Sequence, residues 1–300
     1  MKEQTTVFTD ILTNIVANKR IEMERQKQAI SIEHLREQVE AIMDDTDRSN
    51  NRRSMKQALA SSNTGIIAEF KRKSPSKGWI KEAAQSEIIP LAYESAGATA
   101  LSILTDEKFF GGSIRDIRTA RSLVNIPILR KDFIIDEYQL LQARIIGADA
   151  ILLIASCLTK EECHQLTLQA HALQLEVLLE VHKPTELSYI SKETDMIGVN
   201  NRNLGTFVTD VENSFRIAEE LKRAVAVINT SSRANSSDIK GSFTEEKNVN
   251  SPLLISESGI SNPETIRQLR SAGFQGFLIG ETFMCTEHPE ETLANFIRGI

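Results

Sequence analysis

The chain has 300 residues, 41% of them hydrophobic, with a formal net charge of -6 and a pI near 5.6. That length and apolar content suit one large α/β barrel or two ordinary domains, and the acidic balance gives no sign of a nucleic-acid or membrane surface. Met1 to Thr6 are polar without an apolar signal core, no apolar run approaches the ~20 residues of a membrane helix, and Cys157, Cys163 and Cys285 follow no zinc spacing and leave an odd number for disulfides, so a soluble cytoplasmic protein is expected.

Phe8, Ile11, Leu12, Ile15, Val16 and Ile21 recur at roughly helical spacing and predict a helix over Phe8–Leu35. A polar linker, Asp44–Arg53, and a short helix, Ser54–Ala60, follow. From Ile66 onward the chain alternates. Strand-like apolar runs fall at Ile66–Phe70, Ala100–Leu104, Ile126–Leu129, Ala150–Ala155, Val177–Val181, Met196–Val199, Leu253–Ile255 and Phe277–Ile279. Helical patterns lie between them at Ser86–Ser95, Ser113–Leu123, Asp136–Ile146, Lys160–Leu173, Pro184–Ser191, Val211–Ala224 and Pro263–Ser271, and Glu290–Ile300 closes the chain. Pro90 implies that the first of these is kinked or begins later. Gly97, Gly147 and Gly273 each stop a helix just before a strand, as left-handed caps do. Eight βα repeats with no glycine-rich dinucleotide fingerprint predict a (β/α)8 barrel over residues 61–300, preceded by a helical extension over 1–60. A polar insert at 229–251 falls in an αβ loop, on the barrel face away from chemistry, and is expected to be mobile.

In such a barrel the functional side chains leave the C-terminal ends of the strands. The first strand carries Glu69 and, two residues on, Lys71; a period of two puts both on one face with Ile67. A carboxylate and an ammonium inside a core cost several kcal/mol unless paired or useful. Ser74 follows in a Ser-Pro-Ser turn. The other strand ends bring Phe109 and Phe110 before a glycine pair, then Lys131 and Phe133, Glu180 and His182, Asn200 and Arg202, Glu257 to Gly259, and Gly280 with Glu281. Singly, each has a plain alternative. Lys131 reads equally as a strand-end cation, Glu180 as a structural partner for Lys71 or Lys131, Asn200 and Arg202 as turn caps, the phenylalanines as core and His182 as a rim residue. Their convergence on one rim exceeds what stability requires. The two glycine turns, Ser258-Gly259 and Gly280-Glu281, offer backbone N–H groups and a short helix start at Glu281–Met284, the usual phosphate cradle of these barrels.

The segments Ile67–Gly78, Leu104–Ser113, Pro127–Ile134, Gly198–Leu204, Glu257–Ile260 and Leu278–Glu281 resemble, in order, the blocks of indole-3-glycerol-phosphate synthase, over roughly Lys19 to Ile300. The first three blocks are specific; the last two occur in other phosphate-binding barrels. The resemblance implies a single-function enzyme of tryptophan biosynthesis. It would convert 1-(2-carboxyphenylamino)-1-deoxyribulose 5-phosphate to indole-3-glycerol phosphate with loss of carbon dioxide and water. No metal or organic cofactor, nucleic acid or membrane is implied, and a monomer or weak homodimer is expected. Lys131 matches the acid that protonates the ketone, while Glu180 and the pair Glu69/Lys71 match the second acid and the base, without a division of roles. A lysine acts as an acid near neutral pH where burial or neighbouring cations lower its pKa. Asn200 and Arg202 match groups that hold the substrate near its reacting centre, Ser74 a contact beside Lys71, and Phe110 and Phe133 the walls around the anthranilate ring. Lys71, Ser258, Gly259, Gly280 and Glu281 match the phosphate side. The insert at 229–251 is longer than the family usually has. A sister phosphate barrel is disfavoured by the first block and the extension, and a non-catalytic binding protein by the intact acid and base positions.

Overall fold

The computed structural model describes residues 11–45, 52–203, 208–234 and 251–300. Eight parallel strands close into a barrel: β1 (Ile66–Phe70), β2 (Ala100–Leu104), β3 (Ile128–Lys131), β4 (Ala150–Ile154), β5 (Glu176–Val181), β6 (Met196–Asn200), β7 (Leu253–Glu257) and β8 (Gly276–Ile279). Each pairs with its neighbours in sequence, and β1 closes the ring on β8 with Ile66 opposite Phe277. Alternation along β1 sorts the two cores. Ile67 joins Ala100, Leu129, Leu178 and Ile255 inside the barrel, while Ile66, Ala68 and Phe70 face the surrounding helices.

Three strands run further into charge than their apolar runs suggest. β3 starts after Pro127, which has no N–H for the ladder, and continues through Arg130 and Lys131. β6 and β7 end as a matched rung, Asn200 opposite Glu257. The ladder tolerates these residues because each finds partners. Arg130, outside the barrel wall, bonds Asp132 at 3.0 Å and the Gln139 carbonyl at 2.7 Å.

The helices are α1 (Ile11–Ala29), α2 (Ile32–Asp44), α3 (Met55–Ser61), α4 (Ile89–Ser95), α5 (Glu107–Phe110), α6 (Ile114–Arg121), α7 (Glu137–Ile146), α8 (Lys160–Ala172), α9 (Glu212–Ala234), α10 (Pro263–Ser271), α11 (Glu281–Met284) and α12 (Pro289–Arg298). The single helix expected over Phe8–Leu35 is two, because Ser31 takes an extended backbone and caps α2 by accepting from the His34 N–H; its first residues lie outside the described ones. α4 starts late, with Pro90 in its first turn. Pro184–Tyr189 is a 3-10 turn, not an α-helix. α9 continues ten residues beyond the expected Ala224, so the first part of the polar insert is helical; residues 235–250 lie outside the described ones. A small hairpin pairs Lys73-Ser74 with Gly78-Trp79 in the β1–α4 loop. Among the described residues no helix is long and apolar enough to cross a membrane.

α1 lies across the C-terminal mouth, where Leu12 and Ile15 line the cavity. α3 sits at the opposite end. Met55 and Leu59 pack into the barrel interior, and the Lys56 N–H bonds Glu176, the first residue of β5, at 2.9 Å. α1 is fixed by Lys19, which has 0% exposure. Its ammonium lies 3.0 Å from Asp106, 3.0 Å from Asp132 and 2.9 Å from Glu22. Burial alone would lower its pKa, but Asp132, Asp106 and Glu22 outweigh that and raise it above the ordinary lysine value. Tyr138 adds hydrogen bonds to the Gln26 and Ile30 carbonyls, both at 3.1 Å.

Lys19→Met would leave Asp106 and Asp132 without this cation in the interior. We expect a loss of about 3–5 kcal/mol, the range for breaking one side of a buried ion pair. Denaturant unfolding of the two proteins measures it, and a loss below about 1 kcal/mol, the scale of a surface pair, contradicts the assignment.

Candidate active site

The strand ends enclose a cavity of about 260 Å³ at the mouth, lined by every strand-end residue singled out in the sequence except Phe109 and His182. Glu69, Lys71, Lys131, Glu180, Asn200, Arg202, Ser258 and Gly280 come from six different strand ends. The rings of Phe110 and Phe133 stand 5.9 Å apart at its side, and α1 covers its top with Ile11, Leu12 and Ile15. α5, whose N-cap Asp106 accepts from the Phe109 N–H at 2.8 Å, aims Phe110 at the cavity. The same Asp106 holds Lys19, and Asp132 lies between Lys131 and Phe133 in sequence. The network that docks α1 therefore also fixes the cavity wall.

At the floor, Lys131 Nζ lies 3.2 Å from Glu180 Oε2 and 3.9 Å from Glu257 Oε2. Lys71 Nζ lies 2.6 Å from Glu69 Oε1. Burial alone would lower the Lys131 pKa; Glu180, Glu257 and Glu69 together raise it above the ordinary value instead. This corrects the expectation of a lysine made acidic by burial or nearby cations. Lys131 is surrounded by carboxyl groups and is protonated at neutral pH.

The glutamates divide. Burial would raise Glu69, but Lys71 and Lys131 outweigh it and hold its pKa low. Glu180 is likewise lowered, burial being outweighed by Lys131, His182 and a hydrogen bond from the Asn200 side chain. Glu257 goes the other way. Burial and then the Glu180 charge raise it well above the ordinary value, against the pull of Lys131. Its Oε1 has no donor among the described residues, which suits a carboxyl that carries its own proton. Two carboxyls this close cannot both ionise readily, so Glu180 is the anion and Glu257 the acid. The Glu257 position was visible in sequence only as one end of the Glu257–Gly259 turn. The signal that could have marked it is Gly198 on β6. A Cβ there would stand 1.9 Å from Glu257 Oε1, so the glycine is needed to admit the carboxyl.

The β7 and β8 turns lie together at the cavity edge. Ser258 and Gly259 both have positive φ, 68° and 81°, a conformation costly for serine. Gly280 is close-packed against the first strand, since a Cβ would lie 2.4 Å from Glu69 Oε1. The Glu281 carboxylate pairs with Lys77 and, at 3.2 Å, with Arg202. Arg202 also donates to Ser76 Oγ at 3.2 Å, and its own N–H bonds Asn200 Oδ1 at 3.0 Å. Ser74 is buried beside them.

An ammonium among ionised and protonated carboxyls, with a cationic rim and an aromatic wall at the C-terminal mouth of a parallel barrel, defines an acid–base enzyme for a small anionic substrate. Known proteins sharpen the class. The family model for indole-3-glycerol phosphate synthase matches residues 12–251 and 242–296. The indole-3-glycerol phosphate synthase of Bacteroides thetaiotaomicron is 58% identical over 291 residues, covering 97% of this chain and 99% of that protein. The one from Neisseria meningitidis serogroup B is 39% identical over 290 residues, covering 94% and 97%. The chain belongs to the indole-3-glycerol phosphate synthase family, carboxy-lyases of tryptophan biosynthesis. Among solved structures, a chain of the Pyrococcus furiosus tryptophan synthase complex matches with a TM-score of 0.53 at 12% identity, covering 79% of this chain and 97% of that one. A mutant tryptophan synthase α-subunit from the same organism gives 0.55 at 13% identity. At such identity the likeness concerns the barrel alone.

The raised Glu257 carries a stability prediction. Above the unfolded pKa of about 4.3 the unfolded chain has released this proton while the folded chain keeps it, so this group makes stability fall as pH rises through that window. Glu257→Gln removes that dependence. The variant should match or exceed the parent in unfolding free energy at pH 8 and lose its relative advantage toward pH 4. Denaturant titrations at the two pH values test this, and a variant that is relatively more stable at the lower pH refutes the protonated assignment.

Proposed function

We propose that Lys131, Glu257 and Glu180 share the proton transfers of indole ring closure on 1-(2-carboxyphenylamino)-1-deoxyribulose 5-phosphate. Lys131 gives its proton to the ketone oxygen as the ring carbon bearing the carboxylate attacks. Loss of carbon dioxide restores the aromatic ring. Glu257 then protonates the departing hydroxyl, and ionised Glu180 takes the proton that must leave the neighbouring carbon. The observation that supports this division most strongly is the opposite shift of the two carboxyls beside one ammonium.

The remaining residues bind. Phe110 and Phe133, whose rings are in tilted contact with each other, wall one side of the anthranilate ring. Arg202 and Asn200 hold the substrate near its reacting centre; the guanidinium fork suits a carboxylate. The phosphate lies at Ser258-Gly259 and Gly280-Glu281, bound through backbone N–H groups, with Lys71 and Ser74 alongside. Glu281 contributes its amide and uses its carboxylate to keep Lys77 and Arg202 close. α1 and the substrate together exclude water, which strengthens each of these interactions.

A fluorescence assay with authentic substrate should show indole-3-glycerol phosphate formed by the purified protein; no product would sink the reading. Lys131→Ala should lower kcat by roughly 10²–10⁴-fold, the usual worth of a positioned acid, while binding of a substrate analogue persists. A retained kcat removes Lys131 from the proton-donor role.

A further inference from the structure

Behind the Ser258-Gly259 turn lies a buried asparagine. Asn200 lines the mouth cavity; Asn201, next in the chain, does not. The Asn201 N–H extends the β6–β7 ladder by bonding the Glu257 carbonyl at 2.9 Å, and its own carbonyl accepts from the Asp210 N–H at 2.9 Å. Its side-chain oxygen accepts from the Ser214 N–H at 3.0 Å and from the Ser214 hydroxyl at 2.8 Å. Its NH2 group donates to Ser256 Oγ at 3.1 Å and to the Ser258 carbonyl at 3.0 Å. Ser214 stands in the first turn of α9 and Ser256 on β7, and neither they nor Asn201 is more than 3% exposed. A backbone N–H can only donate and a carbonyl can only accept, so these partners fix which way the amide points.

The bond to Ser258 bears on the strain in the turn. Ser258 and Gly259 follow one another at φ 68° and 81°. A serine stays in that region only where its surroundings over-determine it. Gly259 must be glycine for a second reason, since a Cβ there would stand 2.7 Å from Thr209 Cγ2. The peptide joining the two residues is trans and planar, so its C=O and N–H point in opposite directions. Drawing the Ser258 carbonyl to Asn201 therefore turns the Gly259 N–H away from Asn201. Among the described residues that N–H has no protein acceptor, and Gly259 lines the mouth cavity with Gly280 and Glu281.

We propose that Asn201 is a positioning residue for the substrate phosphate: by pinning the Ser258 carbonyl, it aims the Gly259 N–H at the anion. The inference rests on the phosphate lying at this turn, and Asn201 acts through the peptide without touching the substrate. Ser214 and Ser256 complete the device. Their hydroxyls lie 2.8 Å apart on either side of the amide and keep it from rotating. A rotated amide would set its oxygen against the Ser258 carbonyl and its NH2 group against the Ser214 N–H. The benefit is preorganisation. The donor is already oriented when the phosphate arrives, so no binding energy is spent on turning the peptide.

The test compares the unaltered protein with Asn201→Ala in calorimetric titrations with two compounds. One is the substrate with its ketone reduced to an alcohol; the other is the same compound without its phosphate. The unaltered protein should bind the phosphorylated compound the more tightly. Equal binding means that the phosphate reading itself fails, and the inference with it. Asn201→Ala should bind the phosphorylated compound about ten-fold or more less tightly, the worth of one hydrogen bond to an anion, and hold the phosphate-free one as before. A loss shared equally by both compounds marks a packing role and overturns the proposal, as does no loss at all. NMR of protein carrying isotopically labelled glycine gives a second readout. In the unaltered protein the Gly259 amide proton should move downfield on saturation with inorganic phosphate, and in Asn201→Ala it should not. No movement in the unaltered protein, or the same movement in both, overturns the proposal. If circular dichroism shows that Asn201→Ala does not fold, Asn201→Asp decides by the same signal. Its carboxylate keeps an oxygen for Ser214 but has no donor for the Ser258 carbonyl. A Gly259 signal that still moves as in the unaltered protein overturns the proposal, and a signal that stays put supports it.

Discussion

Lys131 is the point on which the mouth of this barrel depends. One ammonium lies within reach of Glu180 and Glu257, with Glu69 and its own lysine alongside. Without that cation, carboxyls from three different strands would crowd a buried space, and their repulsion would oppose barrel closure. With it, the charges are unequal in a useful way. The carboxyl nearest the ammonium ionises, and the next keeps its proton. Which carboxyl is ionised and which is protonated is therefore set by position around one cation, not by residue type.

A second buried ammonium, Lys19, organises the surroundings. It comes from outside the repeating βα units and ends between Asp106 and Asp132. Asp106 caps the short helix that aims Phe110, and Asp132 adjoins Lys131. The covering helix, the aromatic wall and Lys131 are thus tied through one charge cluster. Burying such a cluster is costly, and satisfied geometry is what makes it tolerable. Most of the barrel interior below is hydrocarbon, with Met55 and Leu59 at the far end.

The barrel was legible in the sequence because its signal is repetitive. Eight apolar runs, each followed by a helical pattern, give both the strand count and the face on which function must lie. The site was legible for a related reason. Glu69, Lys71 and Glu180 interrupt apolar runs at strand ends, where a charged side chain weakens the core unless it has a partner or a task. What was missed depends on partners distant in sequence. Lys19 reads as an ordinary helix lysine until Asp106 and Asp132 meet it. Glu257 reads as part of a glycine turn until Gly198 makes room for it. The break at Ser31 and the extra turns of α9 are settled by a capping bond and by packing, which hydrophobic spacing does not record.

The sequence by itself determined the order of elements, the closed parallel barrel and the set of side chains at its mouth, because these follow from local periodicity and from which residues end each strand. Tertiary structure alone decided which of those groups are charged. A carboxyl carries its proton or loses it according to the charges and burial around it, and these are supplied by strands far apart in the chain. Glu180 and Glu257 are the same residue type at equivalent strand ends. Only the closed barrel, by setting one nearer to Lys131 than the other, leaves the first ionised and the second protonated.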